Sequence, residues 1–371
     1  MTADESALDE LRSAVRNFLE AKSPEEAVRK LMESEPRYDP AVWAQLAEQL
    51  RLPGLAIPEE YGGDGFGPVE LGVVLEEMGR ALLCAPYFAT VVLAAQALLA
   101  SGDTDACARH LPGIAAGATT ATLAVAENSG SWDPALISAR AVRDGEGAWK
   151  VTGRKSFVID GTTADLVLVV ARTVAGPTLF AVDGTAPGLT AESMETLDAT
   201  RAMARLTLDA VPATLIGSDG AGGRIMAKVL DFASVALAAE QSGGARRCLE
   251  TAAEYARTRH QFGRPIGSFQ AVKHKCADML VQVELAEAAS REAARLAAEG
   301  SPDYPVAAGV AHVACSRAYM FTAMENIQVH GGIGFTWEHP AHLYFRRAKS
   351  SQLLFGGPAV YHERLLDRLG I

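Results

Sequence analysis

The sequence predicts a mainly α protein with a central β domain. Its parts are an N-terminal helical domain over residues 1–118, a middle β-barrel or sandwich over 119–222 and a C-terminal four-helix bundle over 223–371. Three observations carry this reading. Apolar residues recur at helical spacing through the first third, change at Thr119 to short runs punctuated by Gly and Asp, and return after Gly223 in long alanine-rich stretches. With 371 residues, 49% of them apolar and 21% charged, the chain fills well-formed cores and is not a disordered polymer.

In the first third, Leu8, Leu11, Val15 and Leu19 repeat along one helical face over residues 6–21, and Pro24 opens a second helix. Asp39-Pro40 starts a third, over 42–50, which Pro53-Gly54 ends; IPEEYGGDGFG at 57–67 is a turn-rich loop. Strands are expected at 121–126, 148–152, 156–159, 166–171, 179–182, 205–208 and 214–216. They follow one another without intervening helices, which suits a small barrel or sandwich. Helical stretches at 224–259, 268–299, 303–329 and 339–355 are long enough to run antiparallel in a bundle.

Charge and cysteine usage narrow the function classes. With 34 Lys+Arg against 45 Asp+Glu the net charge is -11, which excludes a basic sheath for nucleic acid or anionic lipid; an anionic ligand must be met locally. Cys84, Cys107, Cys248, Cys276 and Cys315 show no CxxC spacing, so we expect reduced, mostly buried thiols in a cytoplasmic protein, with no metal site. Residues 81–100 carry no charge and are long enough to span a bilayer, but Pro86, Thr90, Gln96 and the alanine content favour a buried helix over membrane insertion. The acidic first residues do not read as a secretory signal.

Chemistry concentrates in two stretches of the bundle. RTRHQFGRPIGSFQ, Arg257 to Gln270, groups Arg257, Arg259 and Arg264 with Phe262. QVHGGIGF, Gln328 to Phe335, precedes the basic run Arg346-Arg347-Ala348-Lys349. Paired glycines let backbone amides approach a phosphate, and arginine binds one through parallel N–H bonds; such parts suit a dinucleotide. Each piece also has an ordinary explanation: Gly331-Gly332 as a helix C-cap, the arginines as a solvated helix end, His330 as a hydrogen-bonded structural histidine.

The order helical, β, helical, with RTRHQFGRPIGSFQ and then QVHGGIGFTWEHPAHLYFRRAK, resembles the acyl-CoA dehydrogenase family of flavoproteins. IPEEYGG and GRKSFVIDG look like their counterparts there, so the resemblance covers essentially the whole chain. It implies FAD held between subunits. Arg259, Gln261 and Phe262 would meet the pyrophosphate and adenosine end of a neighbour's FAD, with Gln270 nearby, and Gln328, Gly331 and Gly332 would complete the cradle. Val125 to Asp133, including Ala126, and the strand Phe157 to Ile159 would face the flavin ring. The implied reaction removes an α-proton and a β-hydride from an acyl-CoA thioester. A carboxylate takes the proton, the flavin takes the hydride, and electron-transfer flavoprotein or a similar acceptor removes the electrons.

The sequence departs from the family where that carboxylate belongs. The usual glutamate, in a phrase like YEGT, is replaced by Phe355 in LLFGGP; the alternative helix-borne Glu-Arg pair is replaced by Ala233-Ser234. The flavin-facing segment reads AENSGSWD, without the family's threonine, and Ile159 stands where another threonine meets the flavin. Glu240 lies on the same helix face as Ala233 but about 10 Å further along. It is the candidate base, against the alternative of a buried carboxylate paired with Arg246 or Arg247 or bonded to backbone amides; Glu363 and Asp160 are weaker candidates.

Three readings follow: a working dehydrogenase in a homo-oligomer, with Glu240 or an unlocated base; a catalytically silent, FAD-cradling subunit of an α2β2 heterotetramer acting on bulky steroid-side-chain thioesters; and an offshoot using oxygen or a carrier-protein thioester.

Overall fold

The computed structural model describes residues 5–371. The helices are α1 (Glu5–Lys22), α2 (Glu25–Met32), α3 (Pro40–Glu48), α4 (Pro68–Ala81), α5 (Ala95–Ser101), α6 (Thr104–Ala115), α7 (Gly222–Thr258), α8 (Gln270–Ala298), α9 (Tyr304–His330), α10 (Ala341–Leu353) and α11 (Pro358–Leu369). The strands are β1 (Ala121–Ala124), β2 (Arg140–Arg143), β3 (Trp149–Ile159), β4 (Leu166–Thr173), β5 (Gly176–Asp183), β6 (Leu189–Ser193), β7 (Met203–Ile216) and the short pair β8 (His260–Gln261) and β9 (Arg264–Pro265). No described helix is long and apolar enough to cross a membrane.

The chain divides into two compact units. One contains residues through Arg29, Pro68–Leu83 and Ser234–Ile371; the other contains Lys30–Gly67 and Cys84–Ala233. The helices of the first third are thus shared out, α1 and α4 going with the C-terminal helices and α3, α5 and α6 with the strands.

In the second unit, β4 pairs with β2, β2 with β3, β3 with β7, β7 with β5 and β5 with β4, which closes a barrel; β1 adds to β4 and β6 to β7. Closure leaves few free strand edges. The two strands expected at 148–152 and 156–159 are one, β3, because register shifts after Val151 and Lys155 absorb the break in the apolar pattern. Residues 205–208 and 214–216 likewise belong to the single strand β7, which bulges at Ala210 (φ 50) with its N–H donating to Thr152 Oγ1 at 3.0 Å. Strands β2 and β6 gave no sequence signal: one is short and charged, the other nearly all exposed.

The uncharged stretch before β1 is a buried helical run. Residues Phe88–Ala94 form a π-helix that continues into α5, and Thr90 Oγ1 both donates to the Ala121 carbonyl (3.1 Å) and accepts from the Ala121 N–H (3.0 Å). Asp39 caps α3, as Asp39-Pro40 leads one to expect, accepting from the Ala41 N–H at 2.8 Å.

In the first unit the bundle helices α7, α8, α9 and α10 are joined by α1, α4 and α11. Helices α4 and α7 touch backbone to backbone. A Cβ on Gly79 would meet the Glu240 carbonyl oxygen at 2.0 Å and one on Gly243 the Glu76 carbonyl oxygen at 1.8 Å, so only glycine permits this crossing. Around it, Arg12 and Arg16 of α1 hold Glu76 and Glu77 of α4, with Arg16 gripping Glu77 through contacts of 2.8 and 2.7 Å. The crossing fixes the stretch of α7 that carries Glu240.

Candidate functional site

Helix α7 ends at Thr258 in the β8–β9 hairpin, whose register pairs His260 with Pro265 and Gln261 with Arg264. Its turn, Phe262-Gly263, has φ 53 and 75, the pair of left-handed conformations that a two-residue hairpin turn requires. A phenylalanine there is unusual; the residue is 91% exposed, and its ring meets Phe269 edge to face at 6.0 Å between centroids. Arg264 lies over the other aromatic, 4.1 Å from the Phe269 centroid.

Arg259, Gln261, Phe262, Arg264 and Gln270 are all exposed, and neither Arg259 nor Arg264 belongs to an ion pair among the described residues. Helix α8 opens beside them with Phe269 as its N-cap and no side chain capping its first N–H groups. Cationic guanidinium groups, uncapped amides and a helix N-terminus meet in one corner, which is the donor set an anionic phosphate asks for.

The glycine stretch comes to the same end of the bundle. His330, the last residue of α9, stacks on Tyr255, one turn before Arg259, with centroids 4.3 Å apart. Its Nδ1 lies 2.8 Å from the Asn326 carbonyl and its other face meets His339 at 4.2 Å, so His330 is the hydrogen-bonded structural histidine of the ordinary explanation. Burial holds its pKa below the usual histidine value.

Gly331 (φ 62) is the C-cap, its N–H turned back onto the Gln328 and Ile327 carbonyls, a conformation reserved for glycine. A Cβ on Gly331 or Gly332 would meet nothing within 4 Å, so the backbone there faces open space. Gln328, Phe335 (82% exposed) and Trp337 (54% exposed) are exposed nearby in sequence, and a cleft of about 420 Å³ is bordered by Arg247, Glu250, Tyr255, Arg257 and His330. The residues present therefore fit the pyrophosphate and adenosine end of a dinucleotide, and the large exposed aromatics mark a face meant to be covered.

Ala126, Phe157 and Ile159, which the resemblance leads one to expect at a flavin ring, lie in the second unit. Ala126 and Ile159 are each 1% exposed, and Phe157 is half-buried at φ 57. Backbone groups tie the two segments together: the Ser156 N–H donates to the Ala126 carbonyl at 2.9 Å, and Thr122 Oγ1 donates to the Ile159 carbonyl at 2.6 Å.

Lys155, which sequence reading overlooked, anchors the arrangement. Its fully buried Nζ donates to the Val125 carbonyl and to Glu127, each at 3.0 Å. Burial pushes its pKa down to about 8, against the pull of Glu127. Burial raises the Glu127 carboxyl, but Ser138, the Ala139 N–H and Lys155 together hold it below the usual carboxylate range. A lysine inside the apolar phrase KSFVI was the available signal.

At the two places where the resemblance leads one to expect a base, the residues are not carboxylates and are closed off from solvent. Ala233, Ser234 and Phe355 are buried at 0%, 1% and 0% exposure. The expected ion-pair partners of Glu240 require correction: Arg246 reaches Glu287 and Glu284 of α8, both at 2.7 Å, and Arg247 lies by Glu250. Glu240 is paired with Arg347 of α10, Nη1 to Oε1 2.9 Å, with 5% and 3% of the two residues exposed. A single sequence cannot show this pairing, because 107 positions separate the two.

Residues 5–118, 122–211 and 220–370 match the N-terminal, middle and C-terminal domains of acyl-CoA dehydrogenase. The chain belongs to the acyl-CoA dehydrogenase family. This is a family of flavin-dependent oxidoreductases of lipid metabolism. The chain is 36% identical over 355 residues to the acyl-CoA dehydrogenase IpdE2 of Mycolicibacterium smegmatis, covering 96% of each.

Its fold recurs in solved structures. A variant of the Tcur3481–Tcur3483 steroid ACAD is 36% identical with a TM-score of 0.89, over 98% of each chain. The ChsE4–ChsE5 complex of Mycobacterium tuberculosis is 30% identical with a TM-score of 0.89, over 100% of this chain and 98% of that one.

Proposed function

We propose that this chain is the FAD-cradling, base-less member of a two-component acyl-CoA dehydrogenase, its partner a relative that carries the catalytic glutamate. One observation carries the reading: the corner of Arg259, Arg264 and the paired glycines is exposed, while Ala233, Ser234 and Phe355 are buried and Glu240 is held by Arg347. Arg259, Gln261, Phe262, Gln270, Gln328, Gly331 and Gly332 would grip the pyrophosphate and adenosine of an FAD shared with the partner. When bound, that FAD supplies the hydride acceptor for α,β-dehydrogenation of the thioester. Similarity to the steroid ACAD and to the ChsE4–ChsE5 complex supports a bulky fused-ring acyl group and a mixed assembly. The setting would be cytoplasmic, with electron-transfer flavoprotein or a similar protein taking the electrons.

The test is to purify the chain alone and together with a base-bearing relative. Alone, it should hold little FAD and reduce none with an acyl-CoA; together, FAD should be retained, and Arg259→Ala should release it. A yellow lone chain that an acyl-CoA bleaches anaerobically overturns the reading. It would support the second one, in which Glu240 leaves Arg347 to act as base, and Glu240→Gln would then abolish bleaching.

A further inference from the structure

We propose that Tyr361 of α11 is a built-in plug which closes this chain's own acyl chamber; the proposal rests on the reading above and deepens it. Ser234 and Phe355 stand at the two places where the family carries a base or its neighbouring arginine, far apart in sequence. In the fold both converge on one helix. Ser234 Oγ lies 2.7 Å from the Tyr361 hydroxyl. Arg364, one turn further along α11, sits over the Tyr361 ring at 5.1 Å and donates to the Phe355 carbonyl at 3.5 Å. The opposing surface is His312 of α9, stacked on Tyr361 with centroids 3.7 Å apart and 16° between planes. His312, Phe355, Ser234 and Tyr361 are 0%, 0%, 1% and 3% exposed.

The physical consequence is exclusion. Interiors are packed as densely as organic crystals, so a phenol wedged between an imidazole and a serine leaves no path for an acyl chain. The serine is a matched part of the same device, because with its Oγ already at 2.7 Å from the phenol an arginine at 234 would have nowhere to go. The buried phenol in turn needs a polar neighbour, which Ser234 supplies. Phe355 and Gly356, at φ 65 and 114, reverse the chain so that α11 starts at Pro358 and turns Tyr361 inward. A large buried side chain held at positive φ persists only where its surroundings impose it.

The experiment counts thioester sites in the assembled complex with a non-oxidisable 3-thiaacyl-CoA, by isothermal titration. Wild-type complex should bind it only at the partner's sites. Tyr361→Gly should add one site per copy of this chain, whereas Tyr361→Phe, which keeps the ring, should add none. If Tyr361→Gly does not assemble, xenon pressurisation of crystals of the Tyr361→Leu complex reads the space directly, and xenon beside His312 is the expected result. Wild-type complex binding one thioester per chain of both kinds, or an opened variant that takes up neither thioester nor xenon, overturns the plug. Neither result touches the cradle reading, which fails separately if the lone chain is reduced by an acyl-CoA.

Discussion

Glu240 and Arg347 face each other at 2.9 Å, each almost wholly removed from water, so each charge depends on the other. Removing one partner strands a buried charge. Arg347→Leu should lower unfolding free energy by about 3–5 kcal/mol in denaturant melts, and adding Glu240→Leu should recover most of the loss. His312 gives a pH signature. Burial lowers its pKa to about 4 from the ordinary 6.5, so the folded state refuses a proton that the unfolded chain accepts. Its stabilising contribution is therefore complete above pH 6.5 and is lost as pH falls toward 4, about 3 kcal/mol in all at roughly 1.4 kcal/mol per unit. His312→Phe keeps the stack on Tyr361 and should flatten that part of the melting temperature against pH. His330, His339 and His342 are also lowered by burial and titrate in the same direction, so the comparison with wild type isolates His312.

Among the elements, the β8–β9 hairpin and the α9 C-cap are the ones that the proposed cradle depends on. Gly331→Ala places a Cβ at φ 62 and should cost about 1–3 kcal/mol in the local cap, because the space is open but the backbone conformation is not. Its larger effect should be on the corner: FAD retained by the assembled complex should fall, measured by the flavin-to-protein absorbance ratio after gel filtration. Phe262→Asn is the converse, since asparagine tolerates φ 53 and keeps the turn while deleting the 91% exposed ring. It should leave stability within about 0.5 kcal/mol of wild type while weakening assembly, read as a shift to smaller species on dilution. Sequence showed these two stretches because their residue types are rare together. It could not show that stacking of Tyr255 on His330 brings them to one end of the bundle.

For the whole molecule, the C-terminal helices form a compact unit with helices from the first third of the chain. These are α1 and α4, and Arg12, Arg16, Glu76 and Glu77 form their shared charge cluster. A fragment of residues 223–371 should therefore melt without cooperativity and bind a hydrophobic dye, checked by circular dichroism and fluorescence; a chain that joins residues 1–29 and 68–83 to it should melt as one step.

The sequence by itself determined the helical, β, helical order, most of the elements, the family and the candidate nucleotide corner. These are written in local periodicity and short motifs, which depend on near neighbours. Only the tertiary structure decided that Arg347 answers Glu240, that Lys155 pins the Val125–Glu127 segment, and that Tyr361 lies against Ser234 and His312. The reason is that burial makes a polar group choose a partner by proximity in space, and the chain brings such partners together from positions that no local pattern connects.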